Sequence, residues 1–307
     1  MPAQLVRSPS NPIIVPKQNW EALGTFNPGV VESKGAIHIL YRGVDADERS
    51  RFGYARTSDG TDILERATKP VLGPELEWEG FGCEDPRITQ VDGTFYIAYT
   101  AYSSHGTRLA LASTEDFLKF ERYGLIGPNR NDKDFVIFPE RIDGQIAILH
   151  RIGFGIQIAY FETFEAMKNS QSYWSTYMKH LKDYEVMKPK TSWESFKVGA
   201  GPPPIKTKDG WLLIYHGVSG SHVYSAGAAL LDLEEPTKVI ARTKNPILEP
   251  KFKFEEEGAV PNVVFPEGAV VRGKDLLVYY GAADKVCCLA SAPLDQFLEE
   301  LKKEIRP

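Results

Sequence analysis

Cysteine is nearly missing from this chain. Its 307 residues hold three, Cys83, Cys287 and Cys288, an odd number with two of them adjacent. That excludes a disulfide framework, and without a C-x-x-C pair no zinc site is suggested; the thiols read as core packing. Long apolar runs are missing too, so no segment reaches membrane-spanning length. Residues 1–16 are interrupted by prolines and lack a continuous apolar stretch, so no signal peptide is expected and a reducing cytoplasm is the expected location. Basic tracts are also absent. Net charge is −5 with lysine and arginine dispersed, which argues against nucleic acid and anionic membranes as partners. Any anion must therefore be held by a local gathering of basic side chains. No His/Asp/Glu group stands at ligand spacing, so neither a metal nor a cofactor is expected.

What the chain does have is a repeated layout of turns. Turn-like pairs occur at Lys34-Gly35, Asp92-Gly93, Asp143-Gly144, Asp209-Gly210 and Gly273-Lys274. Each opens a short apolar run that ends in a polar ring: Tyr41, Tyr99, His150, His216 and Tyr280, at intervals of about 50–65 residues. A proline precedes each pair (Pro28, Pro86, Pro139, Pro203, Pro266). Upstream, an aromatic-Glu pair recurs as Trp20-Glu21, Trp78-Glu79, Trp193-Glu194 and Phe254-Glu255. Seven residues past each aromatic lie Asn27, Asp85, Ala200 and Pro261. Another apolar run and a proline-bounded run follow in each unit.

Four short strands per unit at this period describe a propeller blade. The expectation is an all-β fold: one five-bladed β-propeller catalytic domain over residues 1–307. Residues 11–16 are expected to complete the last blade and so remove a free edge. A β-sandwich does not account for five matching layouts. Two segments fall outside the pattern. Residues 161–184, with Met167, Trp174, Met178 and Leu181, predict a helical insertion. Residues 293–305 predict a C-terminal helix, with Leu294, Phe297, Leu298 and Leu301 at helical spacing, acids early and lysines late.

In such a fold the starts of first strands and the ends of second strands converge on one rim. The first-strand starts contribute Asn27, Glu84, Asp85, Arg87, Glu140, Arg141 and Lys197. The second-strand ends contribute Tyr41, Arg42, His150, Arg151, His216 and, past Tyr280, Asp284. Third-strand starts add Arg49, Arg51 and Tyr224. Carboxylates in one pocket suggest glycosidic bond cleavage, where an acid protonates the leaving oxygen. The cationic cluster suggests an oxyanion held beside that acid. Together they read as phosphorolysis, with phosphate positioned in line with the anomeric carbon. Each residue also has a plainer reading: Asp85 as a cap on the turn before Pro86, His150 and His216 as core rings, Arg42 and Arg151 as surface ion pairs.

The stretch Cys83-Glu84-Asp85-Pro86-Arg87-Ile88 resembles the mannoside phosphorylases of glycoside hydrolase family 130. So do Tyr41-Arg42, Leu149-His150-Arg151, Lys197-Val198-Gly199-Ala200-Gly201-Pro202-Pro203-Pro204, Tyr215-His216-Gly217 and Gly227-Ala228-Ala229-Leu230-Leu231-Asp232; the likeness spans nearly the whole chain. The resemblance implies a five-bladed propeller. It also implies inverting phosphorolysis of short β-mannosides (β-1,2- or β-1,4-linked mannobiose or manno-oligosaccharides) to α-mannose 1-phosphate and a shortened sugar.

By the same resemblance Asp85 is the single general acid, its proton passing through the 3-hydroxyl of the mannose. Arg151, Lys197, His216 and Tyr224 hold phosphate. Asn27, Arg42, Arg51 and Asp284 surround the mannose, with Glu84, Arg87 and His150 in the same substrate pocket. One feature departs from the family: no arginine lies between Arg151 and Lys197, where a second phosphate-binding arginine is usual, and Lys188 or Lys190 is the expected substitute. The partners implied are the β-mannoside and inorganic phosphate, and a homo-oligomer is compatible with this reading. Two alternatives stand beside it. A hydrolase on the same scaffold would need a carboxylate base, for which Glu140 and Glu267 are available; the other is a carbohydrate-binding propeller without catalysis. As an acid, Asp85 is expected to titrate above the roughly 3.9 of a free aspartate, with Glu84 and Asp284 raising it against Arg87 and the phosphate-site cations.

Overall fold

Apolar runs bounded by tight turns become antiparallel ladders in the computed structural model, which describes residues 2–304. The result is a mostly-β chain in several sheets. Unit one comprises Gly24–Ser33, Ala36–Val44, Ser50–Thr57 and Ile63–Arg66; unit two Gly82–Val91, Thr94–Ser103, Gly106–Thr114 and Glu121–Leu125. Unit three comprises Lys133–Ile137, Ile146–Arg151, Ile156–Phe161 and Glu185–Met187. In unit four Lys197–Ala200 and Ile205–Thr207 share one edge of Gly210–Val218, followed by Tyr224–Leu231 and Val239–Arg242. Unit five comprises Val264–Arg272, Asp275–Ala282 and Val286–Pro293, with Val6–Arg7 added to its outer edge. Units one and two merge into one eight-stranded sheet through a single parallel pairing, Ser50 with Gly82. Among the described residues no sheet closes on itself.

The first strands of successive units approach one another closely. A Cβ on Gly29 would collide with the Pro86 carbonyl, and one on Gly268 would lie 2.5 Å from the Pro28 carbonyl. The Thr89 hydroxyl donates to the Ile137 carbonyl at 3.2 Å. The N-terminal segment does join unit five, but earlier than expected. Val6 and Arg7 pair with Ser291 and Ala290, whereas residues 11–16 form no strand and add the isolated bridge from Ile14 to Cys287 and the Asn11 amide, which bonds both backbone groups of Leu289.

The recurring aromatic-Glu pair has a physical cause. Each pair sits on a single helical turn: Asn19–Glu21, Glu77–Glu79, Ser192–Glu194 and Lys253–Glu256. Each glutamate is fully buried and folds back to accept a backbone N–H at the start of its turn, from Gln18, Leu76, Thr191 or Phe252, the reciprocal half of a capping box. It also accepts the hydroxyl of a second-strand tyrosine: Tyr41 (2.6 Å), Tyr99 (2.7 Å), Tyr215 (2.8 Å) or Tyr280 (2.8 Å). An outer-strand arginine completes each set: Arg66 (2.7 Å), Arg122 (3.4 Å), Arg242 (2.8 Å) or Arg7 (2.7 Å). One carboxylate thus ties three pieces of a unit together. Glu194→Ala, which leaves Arg242 and Tyr215 without it, is expected to cost about 3 kcal/mol, read as a lowered denaturant midpoint at unchanged m-value.

These contacts correct the repeat by one residue in unit four. The residue equivalent to Tyr41, Tyr99 and Tyr280 is Tyr215, not His216. Side chains alternate along a strand, so His216 points to the opposite face, with Arg42 and Arg151. In unit three the tyrosine's place is taken by His150, whose Nδ1 lies 2.8 Å from Asp132 and whose Nε2 lies 2.8 Å from the Tyr177 hydroxyl.

Tyr177 belongs to the inserted segment, which forms the helices Phe164–Lys168 and Gln171–Tyr177 and a 3-10 turn, Met178–Tyr184. It buries Met167 and Trp174 against units two and three. The C-terminal helix, Leu294–Lys303, buries Phe297, Leu298 and Leu301 on the core of units four and five. Its predicted last residue, Ile305, lies outside the described residues. Among those described, no helix is long and apolar enough to cross a membrane.

Candidate active site

Bulges aim the site's polar residues. The ladders of units one, two and three shift register between Phe26 and Gly29, Glu84 and Arg87, and Lys133 and Val136. Within those shifts Asn27, Asp85 and Asp134 adopt left-handed φ of 49°, 57° and 57°. Asn and Asp tolerate that region better than other side chains, and a bulge re-aims the residue it carries. All three point into one cavity of about 530 Å³, including its open mouth.

One side of the cavity is built around carboxylates. Asp85, 4% exposed, accepts from the Asn27 amide (2.8 Å) and from Arg42 (3.3 Å), and Lys133 Nζ lies 3.8 Å away. Glu84 stands behind it, pairing with Arg42 at 2.8 Å and Lys133 at 3.2 Å. Arg42 is held in turn by the Ser50 hydroxyl at 2.8 Å. Asp284 completes this side.

The other side is cationic and aromatic: Arg151, Lys197, His216, Tyr224 and Phe265. Lys197 Nζ sits 5.2 Å from the Tyr224 ring centroid, and His216 packs on Phe265 at 4.4 Å. Asp134 links the two sides. It pairs with Arg151, lies 3.6 Å from His216 Nε2 and 3.5 Å from Arg87.

The electrostatics divide the same way. Burial pushes the Asp85 carboxyl up, but Lys133, Arg42, Arg87 and the Asn27 hydrogen bond outweigh it and hold Asp85 below the ordinary aspartate value. The expected upward shift is therefore reversed here, chiefly because the Lys133 ammonium faces the carboxylate. Asp284 goes the other way, raised to about 6 by burial, with Asp85 and Glu84 adding to it. Burial lowers His216 to about 3, helped by Arg151 and Lys197 against Asp134, so this ring is neutral at physiological pH, and its buried Nδ1 has no hydrogen-bond partner among the described residues. Burial opposes ionisation of Asp134 as well, but Arg151, His216 and Arg87 hold it well below the carboxylate range.

Of the residues singled out from sequence, the cavity brings together Asn27, Arg42, Asp85, Arg151, Lys197, His216, Tyr224 and Asp284. Glu84 and Arg87 lie behind its wall. Arg87 is fully buried and donates to the carbonyls of Gly201 (2.8 Å) and Ala200 (3.2 Å), a floor rather than a ligand contact. Other residues singled out from sequence are not in the site. His150 is enclosed between Asp132 and Tyr177 because of its strand parity. Arg51 pairs with Asp45 and stays outside the lining. Lys188 is 74% exposed, pairs with Glu185 at 3.4 Å and borders a separate cleft with Lys190 and Arg242. It cannot replace a second phosphate-binding arginine.

Sequence reasoning missed Lys133 and Asp134. Unit three has no aromatic-Glu pair to count from, and its proline, Pro139, points instead to Glu140 and Arg141. Glu140 instead pairs with Lys206 on the surface, and Arg141 bonds the carbonyls of Gly144 and Glu162. The usable signal was the polar run Asp132-Lys133-Asp134 directly before an apolar strand.

A family model described as beta-1,4-mannooligosaccharide phosphorylase, of glycoside hydrolase family 130, matches residues 6–303. The 1,2-beta-oligomannan phosphorylase of Thermoanaerobacter sp. (strain X514) is 40% identical over 301 residues, covering 94% of this chain and 96% of that protein. Among solved structures, the beta-1,2-mannobiose phosphorylase of Listeria innocua in complex with beta-1,2-mannobiose superposes with a TM-score of 0.84 at 31% identity, over 98% of this chain and 99% of that one. A further structure, from work describing glycoside hydrolases in the same family that target beta-1,2 mannosidic linkages in Candida mannan, gives a TM-score of 0.84 at 26% identity over 96% of this chain and 95% of that one.

Proposed function

This chain belongs to glycoside hydrolase family 130, and from that premise we propose that it cleaves short β-mannosides with inorganic phosphate, by inversion, giving α-mannose 1-phosphate and a shortened sugar. The observation that carries the reading is one cavity holding Asp85 on one side and Arg151, Lys197, His216 and Tyr224 on the other. Phosphate binds between the two cations, with a neutral imidazole N–H and the Tyr224 hydroxyl as further donors. Arg42, Asn27 and Asp284 hold the mannose. A phosphate oxygen forms the new bond to the anomeric carbon as the glycosidic bond breaks on the opposite face. The departing oxygen takes the proton of the mannose 3-hydroxyl, which Asp85 replaces, so Asp85 ends as a carboxylate that solvent reprotonates. Positioning and charge stabilisation supply most of the rate.

On the cationic side, from which water would attack, the hydrolytic alternative finds no effective carboxylate base among the described residues. Glu140 is on the surface with Lys206, and Glu267 is fully buried beneath the site, raised well above the ordinary glutamate value by burial. Asp134, on the cationic side, is a poor base because Arg151 holds it ionised. We also read the five units as blades of one propeller forming a single catalytic domain. The close packing of successive first strands and the Val6–Arg7 strand on unit five support this. Three buried free thiols are in keeping with a reducing cytoplasm. Incubation with β-1,2- and β-1,4-mannobiose, with and without phosphate, tests the activity. Mannose 1-phosphate is expected only with phosphate, and equal release of mannose without it would overturn the assignment.

Gly199 offers a sharper probe of the phosphate side. A Cβ there would run into Asp134 Oδ2 and the His216 ring. Gly199→Ala should displace both and raise the KM for phosphate, since a misplacement of about 1 Å costs on the order of 10²-fold. The KM for mannoside should change far less.

A further inference from the structure

The chemistry above uses the cavity and leaves its rim unassigned. Two large aromatic side chains stand exposed at the start of the strand that carries Asp85 and on its ladder partner, Phe81 (47%) and Tyr102 (38%), with ring centroids 5.2 Å apart and planes at 64°. A lone exposed apolar residue needs no explanation, but this pair is wired to the site. Phe81 immediately precedes Gly82–Val91, the strand that carries Asp85. Its N–H donates to the Tyr102 carbonyl at 2.9 Å, and its carbonyl accepts from Ser50 N–H at 3.2 Å; the Ser50 hydroxyl holds Arg42.

On its other side Tyr102 pairs with Thr107. The Thr107 N–H donates to Asn131 Oδ1 at 3.1 Å, and its carbonyl accepts from Asp132 N–H at 3.2 Å, next to Lys133 in the cavity. Arg108 bonds Asn131 at 3.3 Å and Asn129 at 3.2 Å. A polar shelf therefore runs from Lys133 to the aromatic pair.

Direction and distance decide what that shelf meets. Inverting attack expels the leaving sugar away from the phosphate cluster, hence toward the side of Asp85 and Lys133. Phe81 lies four positions before Asp85, about 13 Å along an extended strand, beyond the first sugar after the cleaved bond. Resting on the mannoside reading, the geometry points to Phe81 and Tyr102 as a stacking platform for the second and later sugars on the leaving-group side, and so as determinants of chain-length preference. The C–H face of a pyranose lies on the rings, and its hydroxyl edge meets Arg108 and Asn131. A second aromatic patch, Phe154 with Phe196 at 5.6 Å, adjoins Lys197 on the phosphate side and serves as the control.

The test compares wild type with Phe81→Ala, Tyr102→Ala, Phe81→Trp and Phe154→Ala. Phosphorolysis of mannobiose and mannotetraose of the cleaved linkage is measured, together with calorimetric binding of both sugars. Phe81→Ala and Tyr102→Ala are expected to raise KM and Kd for mannotetraose about three- to tenfold, as losing one aromatic contact does, with kcat unchanged and mannobiose unaffected. Phe81→Trp should restore tetraose binding, and Phe154→Ala should not alter the tetraose-to-biose ratio. An unchanged ratio in Phe81→Ala, or parallel loss on both sugars, overturns the platform. If wild type binds the sugars as expected but turns none over with phosphate, the phosphorylase reading fails while the platform stands.

Discussion

Asp85→Asn is expected to slow phosphorolysis of natural mannosides by about 10²–10⁴-fold, the usual contribution of a general acid. The same variant should be largely spared on β-mannosyl fluoride, whose leaving group needs no proton. The contrast isolates proton donation, because both donors place the same mannose against Asn27, Arg42 and Asp284. Equal loss on the two donors, with mannose and phosphate still binding, would make Asp85 an orienting group. Asp284, raised to about 6, or Glu84 would then be the next acid to test.

A pH profile adds a second handle. In the free protein Lys133, Arg42 and Arg87 keep Asp85 below its ordinary value despite burial, so it is ionised at neutral pH. Activity that needs its protonated form must fall as pH rises. Bound phosphate offsets those cations and raises Asp85. The falling limb of kcat, which reports the loaded enzyme, should therefore lie at higher pH than that of kcat/KM, which reports the free enzyme.

Lys197→Ala should raise the KM for phosphate by about 10–10²-fold, the worth of one charge-assisted hydrogen bond, and leave stability unchanged. Lys197 has no carboxylate partner among the described residues; its ammonium faces the rings of Tyr224 and Phe196. Arg151→Ala should raise the same KM but also destabilise the fold, because it removes the partner of buried Asp134. Comparing the two variants by phosphate kinetics and thermal melting separates binding from support. His216, lowered to about 3 by burial, should contribute no inflection between pH 5 and 8. A histidine limb near pH 6.5 in phosphate binding would show that its ring is charged in use.

Much of this was legible in the residues. Turn pairs and second-strand rings mark five units, and aromatic-Glu pairs four of them, because each is a local device. A Gly or Asp permits a reversal, and a glutamate caps its own helical turn while reaching a tyrosine and an arginine of the same unit. The Glu84-Asp85-Pro86-Arg87 stretch likewise marked Asp85 as the candidate acid, since its four residues are adjacent in the chain.

Other features belonged to the tertiary structure alone. Whether His150 or Arg151, Tyr215 or His216, faces the cavity is a matter of strand parity, and a one-residue bulge inverts parity without changing composition. The sequence by itself thus determined the repeats, the candidate acid and the chemical class of the site, all of which rest on neighbours along the chain. Only the tertiary structure decided that Lys133 and Asp134 enter the cavity, that Lys188 and Arg51 do not, and that Asp85 titrates low rather than high. Those outcomes depend on distances of a few ångströms between residues far apart in sequence, and Coulomb interactions and burial act through space, not along the chain.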